Sequence, residues 1–118
     1  IKYVPRIFHV NWFRKNADGK FLWPGYGENT RILKWMVERC RFGAHALETT
    51  IGWLPDFKDI DMHGLEKTVT PEVFAEAQKN DTAEWHRELL LQDELFIKLY
   101  SELPKDLIFQ RELLMSRL

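Results

Sequence analysis

The chain has 118 residues, 45% of them hydrophobic and 30% charged, which is enough to bury a core and excludes a disordered polymer. A formal net charge of −1, from 17 basic and 18 acidic residues, lacks the basic excess with which a nucleic-acid-binding surface displaces counterions. No apolar run reaches the roughly 20 residues of a membrane span, so neither a nucleic acid nor a membrane is an expected partner.

The first residue is Ile1, inside an apolar run over residues 1–10, and the chain reads as a segment of a longer polypeptide. Residues 7–23 carry a hairpin pattern. Phe8, Val10 and Trp12 alternate onto one face, Asp18-Gly19 is the turn dipeptide, and Phe21-Leu22-Trp23 is the return strand, stopped by Pro24 and Gly25. Residues 30–42 predict a helix with Ile32, Leu33, Met36, Val37 and Cys40 on its apolar stripe. Asn29 or Thr30 can cap its start, and Gly43 stands where helices commonly end.

Residues 44–70 are less regular, with one short strand expected across residues 50–55. Pro71–Gln78 opens another helix, with Thr70 as cap and Pro71 in the first turn. The clearest helix is expected over residues 82–103, where Trp85, Leu89, Phe96, Leu99 and Leu103 recur at three-four spacing until Pro104. A last helix over residues 105–118 bears Ile108, Met115 and Leu118. The fold class is α+β, an N-terminal β-hairpin and loop followed mainly by α-helices, within a single segment (residues 1–43, then 44–118).

Cys40, the lone cysteine, excludes an internal disulfide, suits a reducing compartment, and on the helix stripe reads as a buried, inert thiol. His9, His45, His63 and His86 show no metal-ligand spacing with one another or with Cys40. No Gly-x-x-x-x-Gly-Lys-Ser/Thr run occurs, and no nucleophile–base pair or distinctive carboxylate pair stands out, so no residue is assigned a catalytic or metal-binding role.

The unusual stretch is residues 12–29, where Trp12, Phe13, Phe21, Trp23 and Tyr26 crowd ahead of Gly27-Glu28-Asn29. Aromatic faces stack a flat purine whatever its identity. An asparagine carries both an acceptor and a donor for a base edge, and backbone N–H groups near glycines allow close approach. The same residues also suit a structural role, with rings packing a hairpin core and asparagine capping a helix. A third reading, from another class, is a non-catalytic interaction module whose exposed aromatics dock a peptide or protein.

The run Phe8-His9-Val10-Asn11-Trp12-Phe13-Arg14-Lys15, with Gly19-Lys20-Phe21-Leu22-Trp23-Pro24-Gly25-Tyr26-Gly27-Glu28-Asn29-Thr30-Arg31, resembles the guanine-binding segment of GTP-dependent phosphoenolpyruvate carboxykinases. The resemblance weakens after about residue 42 and resumes softly at Ile51-Gly52, Pro55 and the helical C-terminus. It implies that Phe13, Phe21 and Tyr26 surround guanine, that Asn29 reads it, and that the backbone at Gly27 and Glu28 contacts it. The family usually has phenylalanine where Tyr26 stands and often serine where Thr30 stands; Tyr26 keeps the ring and adds a hydroxyl.

The resemblance further implies a C-terminal part of a larger mixed α/β enzyme. That enzyme converts oxaloacetate and GTP reversibly to phosphoenolpyruvate, GDP and CO₂, a step of gluconeogenesis. Mn²⁺ at the catalytic site and Mg²⁺ with the nucleotide would neutralise phosphoryl charge. Their ligands, the phosphate loop and the oxaloacetate-binding groups would all lie upstream, leaving this segment inactive alone. The expected location is the cytoplasm, or the mitochondrial matrix if a transit peptide lies upstream.

Overall fold

Trp35 organises the first helix. The helix forms over Asn29–Arg41 (α1), and Trp35 is its one buried residue, at 3% exposure. The computed structural model describes residues 4–118, so the opening positions of the apolar run at 1–10 lie outside the described residues. Phe8 meets the Trp35 ring edge-on, with centroids 6.1 Å apart, and the indole N–H donates to the His45 carbonyl at 3.0 Å.

The expected stripe on α1 is therefore corrected. Ile32 and Met36 do pack on the core around Trp35, but Leu33 and Val37 are nearly half exposed and Cys40 is exposed. Trp35 with Ile32 and Met36 offers more apolar surface than Leu33 and Val37, so the helix turns its Trp35 face inward. The cap expectation is corrected too. Glu28 occupies the capping position without a side-chain bond, and Asn29 is the first helical residue.

The hairpin over residues 7–23 contracts to its tip. One antiparallel bridge joins Lys15 and Phe21, and Leu22 N–H donates to the Arg14 carbonyl at 2.9 Å. Asn16 does the work of a longer ladder: its Oδ1 accepts from the N–H groups of Asp18 and Lys20 at 3.1 and 2.9 Å. Gly19 takes φ of +76° in this turn, a value an L side chain resists. The expected face survives without strands. Phe8 and Trp12 pack on the core and Val10 is half-buried, whereas His9 and Asn11 are exposed.

The regular two-stranded sheet lies later, in Leu47–Thr49 (β1) and Gly52–Leu54 (β2), joined by Thr50-Ile51. A 3-10 turn at Phe57–Asp59 follows, closed by a reciprocal capping box between Asp56 and Asp59. The irregular residues beyond it supply Ile60, Met62, Leu65 and Val69 to the core, and their backbone closes on itself through Leu65→Met62 and Val69→Leu65 bonds of 2.8 Å. Pro71–Gln78 (α2) begins as expected, with Thr70 Oγ1 accepting from Val73 N–H at 3.4 Å, and buries Phe74.

Two compact units result: Ile1–Glu48 with Trp53–Lys79, and Thr49–Gly52 with Asn80–Leu118. The core just described belongs to the first. The second contains Thr82–Lys98 (α3), capped by Asp81 Oδ1 on Glu84 N–H at 3.0 Å, and Lys105–Arg117 (α4). α3 ends before the expected residue 103; Leu99 caps it, and residues 99–102 turn through local backbone bonds ahead of Pro104. Among the described residues no helix is long and apolar enough to cross a membrane. The α+β class holds, with four α-helices and one two-stranded sheet among the described residues.

Candidate functional site

The contracted hairpin presents two rings together. Phe13 and Phe21 pack edge to face, centroids 6.2 Å apart at 65°, yet are 73% and 56% exposed. The Lys15 ammonium sits 5.0 Å from the Phe21 ring centre. Two exposed phenylalanines held against each other by a bridge and an Asn16-braced turn form a preorganised apolar face.

Their neighbours in sequence turn the other way. Trp12 is half-buried and tilts against buried Trp23, with centroids 6.3 Å apart. The Trp23 indole Nε1–H donates to Oδ1 of half-buried Asn29 at 2.9 Å. Between them Gly25 adopts φ of +114°, admitting the reversal after Pro24 that leads into the 3-10 turn Tyr26–Glu28. Tyr26 projects from that turn at 93% exposure. The structure thus joins Phe13 to Phe21, and Trp23 to Asn29. Among the described residues no ring contact links Tyr26 to either pair.

Gly27 and Glu28 lie at the head of α1, on the rim of an open cleft of about 550 Å³ that Thr30, Arg31, Lys34 and Asp61 complete. Arg31 holds this rim in place. Its Nε donates to Glu28 Oε2 at 2.6 Å, and its Nη1 and Nη2 donate to the carbonyls of Asp61 and His63 at 2.5 and 3.0 Å. The Asp61 carboxyl is held below the ordinary aspartate range, first by the His63 backbone N–H and then by the charges of Arg31 and Lys34. Among the described residues no group of three or more His, Cys, Asp or Glu gathers to hold a metal ion, so the divalent metals implied by the resemblance find no donor set there.

Two contributors escaped the sequence reading. Trp23 stands in the sequence as a return-strand residue and one of the crowded aromatics, with no sign of its bond to Asn29, and Arg31 stands only in the matched run. A tryptophan six residues before an asparagine carries no recognised motif; its signal was only that a buried indole N–H needs an acceptor. Arg31 binds mostly carbonyls, which sequence does not display.

The family profile described as "Phosphoenolpyruvate carboxykinase C-terminal P-loop domain" matches residues 1–117. The chain belongs to the GTP-dependent phosphoenolpyruvate carboxykinase family. It is 51% identical over 113 residues to phosphoenolpyruvate carboxykinase (GTP) of Anaeromyxobacter sp. (strain K), covering 96% of this chain and 19% of that protein. It is 44% identical over 115 residues to the enzyme of that name from Paenarthrobacter aurescens (strain TC1), covering 98% and 19%. With that of Treponema pallidum (strain Nichols) it shares 40% identity over 116 residues, covering 98% and 18%. The chain therefore spans about a fifth of the length of the carboxykinases it matches. Although the profile bears a P-loop name, the part of it present here contains no phosphate-loop sequence.

Proposed function

We propose that this chain is the guanine-recognition segment of an enzyme that converts oxaloacetate and GTP to phosphoenolpyruvate, GDP and CO₂. The observation that carries the reading is the condition of Asn29. Its carboxamide is not engaged in capping α1, and no protein group among the described residues accepts from its Nδ2, which leaves a donor available to a base edge. Exposed rings at Phe13, Phe21 and Tyr26 supply faces for stacking, and the backbone at Gly27 and Glu28 lies on an open cleft.

In this reading the segment binds and selects the nucleotide, while phosphoryl transfer belongs to other parts of the enzyme. Bound divalent metal would neutralise charge on the transferring phosphoryl group. Its ligands, the phosphate-binding groups and the oxaloacetate site lie outside this chain, which is inactive alone. The enzyme works in the cytoplasm and serves gluconeogenesis.

The test is kcat/KM for GTP and ATP on the full-length enzyme carrying this segment. Asn29→Ala is expected to remove roughly 1–3 kcal/mol of the preference for GTP, the scale of a good base-edge contact. Phe21→Ala is expected to weaken nucleotide binding by roughly 1–3 kcal/mol, the scale of one stacking contact. If both leave nucleotide use unchanged, while GDP fails to compete with a partner captured through Phe13 and Tyr26, the aromatic face is a protein-docking surface instead.

A further inference from the structure

Asparagine is an ambiguous reader, because turning its amide over exchanges a donor for an acceptor at the base edge. The two orientations favour different purines. A donor suits the carbonyl at position 6 of guanine or hypoxanthine and opposes the amino group of adenine there. An acceptor suits the N1–H and 2-amino group of guanine. Something must fix the orientation if Asn29 is to select.

The Trp23–Asn29 bond fixes it. An indole nitrogen can only donate, so the atom 2.9 Å from Trp23 Nε1 must be the carboxamide oxygen. The usual uncertainty over which way an asparagine points is removed by the chemistry of its partner. Trp23 cannot swing away to accommodate the reverse orientation. It is buried at 8% exposure, belongs to the core with Trp35 and Ile60, and is braced by Trp12. A flipped amide would point Nδ2–H at Nε1–H, leaving a buried donor without an acceptor.

We propose that Trp23 is a positioning residue for base selectivity: its indole N–H holds Asn29 Oδ1 and leaves Nδ2 as the group offered to the purine at position 6. The inference rests on the reading of Asn29 given under Proposed function, and its experiment separates the two. Trp23 itself touches no nucleotide in this account and acts through Asn29.

The decisive comparison is kcat/KM for inosine triphosphate and ATP, whose bases differ at the position-6 edge, on the full-length enzyme. Trp23→Phe keeps a ring in the core and deletes the N–H. It is expected to lower the inosine-to-adenosine ratio about three- to tenfold, the scale of one hydrogen bond, while the GTP-to-inosine ratio holds. In the Asn29→Ala background the same change is expected to leave the ratio where Asn29→Ala put it, since the group being oriented is gone. A purely structural role would lower kcat/KM for both nucleotides by one factor and leave the ratio intact, which would overturn the proposal.

Asn29→Asp gives a second handle if Trp23→Phe does not fold. With the indole holding one carboxylate oxygen, the other faces the base as an acceptor, and inosine and guanine triphosphates are expected to lose more than they do in Asn29→Ala. Retained GTP preference in Asn29→Asp would show that an acceptor reads the base, and sink the inference while sparing Asn29 as the reader. An unchanged ratio in Asn29→Ala would instead remove Asn29 from base recognition, and this inference with it.

Discussion

In the first unit Trp35, Val69 and Phe74 are almost wholly buried, and Trp23, Ile60, Met62 and Leu65 close around them. In the second, Leu89 is the one apolar side chain buried to that degree among the described residues. There α3 leaves Leu90, Leu91, Leu95 and Ile97 more than half exposed, and α4 has no buried residue at all. A short polar tie in that unit joins Arg111 Nη2 to Asp93 Oδ2 at 2.6 Å, with Arg111 Nε buried and unpartnered. The longest helix, α3, thus belongs to the unit with the smaller core. A three-four pattern reports which side chains want burial, not whether their own chain supplies a surface to bury them against.

The contrast can be broken by segment-resolved hydrogen exchange on the chain. Trp35→Ala carries the largest expected effect, a loss of about 3–5 kcal/mol for a large buried aromatic, seen across residues 29–79. An equal loss of protection across residues 80–118 would make the two units one cooperative block and end the comparison. Leu89→Ala is expected to cost about 2 kcal/mol, at the low end for a buried leucine, because an open surround can collapse around the vacancy. A loss as large as that of Trp35→Ala would mean that the second unit is better packed than its exposed leucines suggest.

Smaller effects sharpen the picture. Thr70→Ala removes the side-chain acceptor at the head of α2 and is expected to lower first-unit stability by about 1 kcal/mol. Acid has a further, gradual effect. Asp56, Asp61, Glu66 and Glu72 all lie in the first unit and all have carboxyls held below their ordinary values: Asp56 chiefly by the Lys58 side chain, Asp61 by the His63 N–H, Glu66 by backbone N–H groups and Glu72 by the Thr70 side chain. Folded values below unfolded ones mean that these carboxylates stabilise the folded state above the ordinary carboxylate range. The contribution fades as pH falls below about 4, through the folded values. Exchange protection around residues 56–72 should therefore weaken with acid, and Asp61→Asn should flatten part of that slope. A slope identical in Asp61→Asn would remove Asp61 from the account.

Much of this was legible beforehand, for local reasons. α2 with its Thr70 cap, the start of α3, and the span of α1 to within a residue follow from capping chemistry and helical period acting over a few residues. The alternation of Phe8, Val10 and Trp12 also reported burial correctly. It misreported strands, because period two records only which side faces the core, and here side chains such as Asn16 satisfy the backbone where a partner strand would have done so. Residues 56–70 were illegible for the opposite reason. They supply core residues through successive tight turns, which have no period to read. At the candidate site, the exposed rings and Asn29 stood out by residue type. The indole bond that orients Asn29, and the Arg31 contacts that hold Glu28 and Asp61, depend on pairings that no spacing announces.

Arg31 is one of several arginines in the first unit that fasten backbone carbonyls, most of them distant in sequence. Arg6 donates to the Arg39 carbonyl, Arg14 to those of Ala77 and Lys79, and Arg39 to that of Ala44. A carbonyl is the same whatever side chain its residue carries. Each of these bonds therefore constrains one position and leaves the other free to vary, so substitutions at the two ends have no reason to be correlated. A contact map inferred from paired substitutions across the family would miss these fastenings and would underestimate how firmly the irregular segments of the first unit are held.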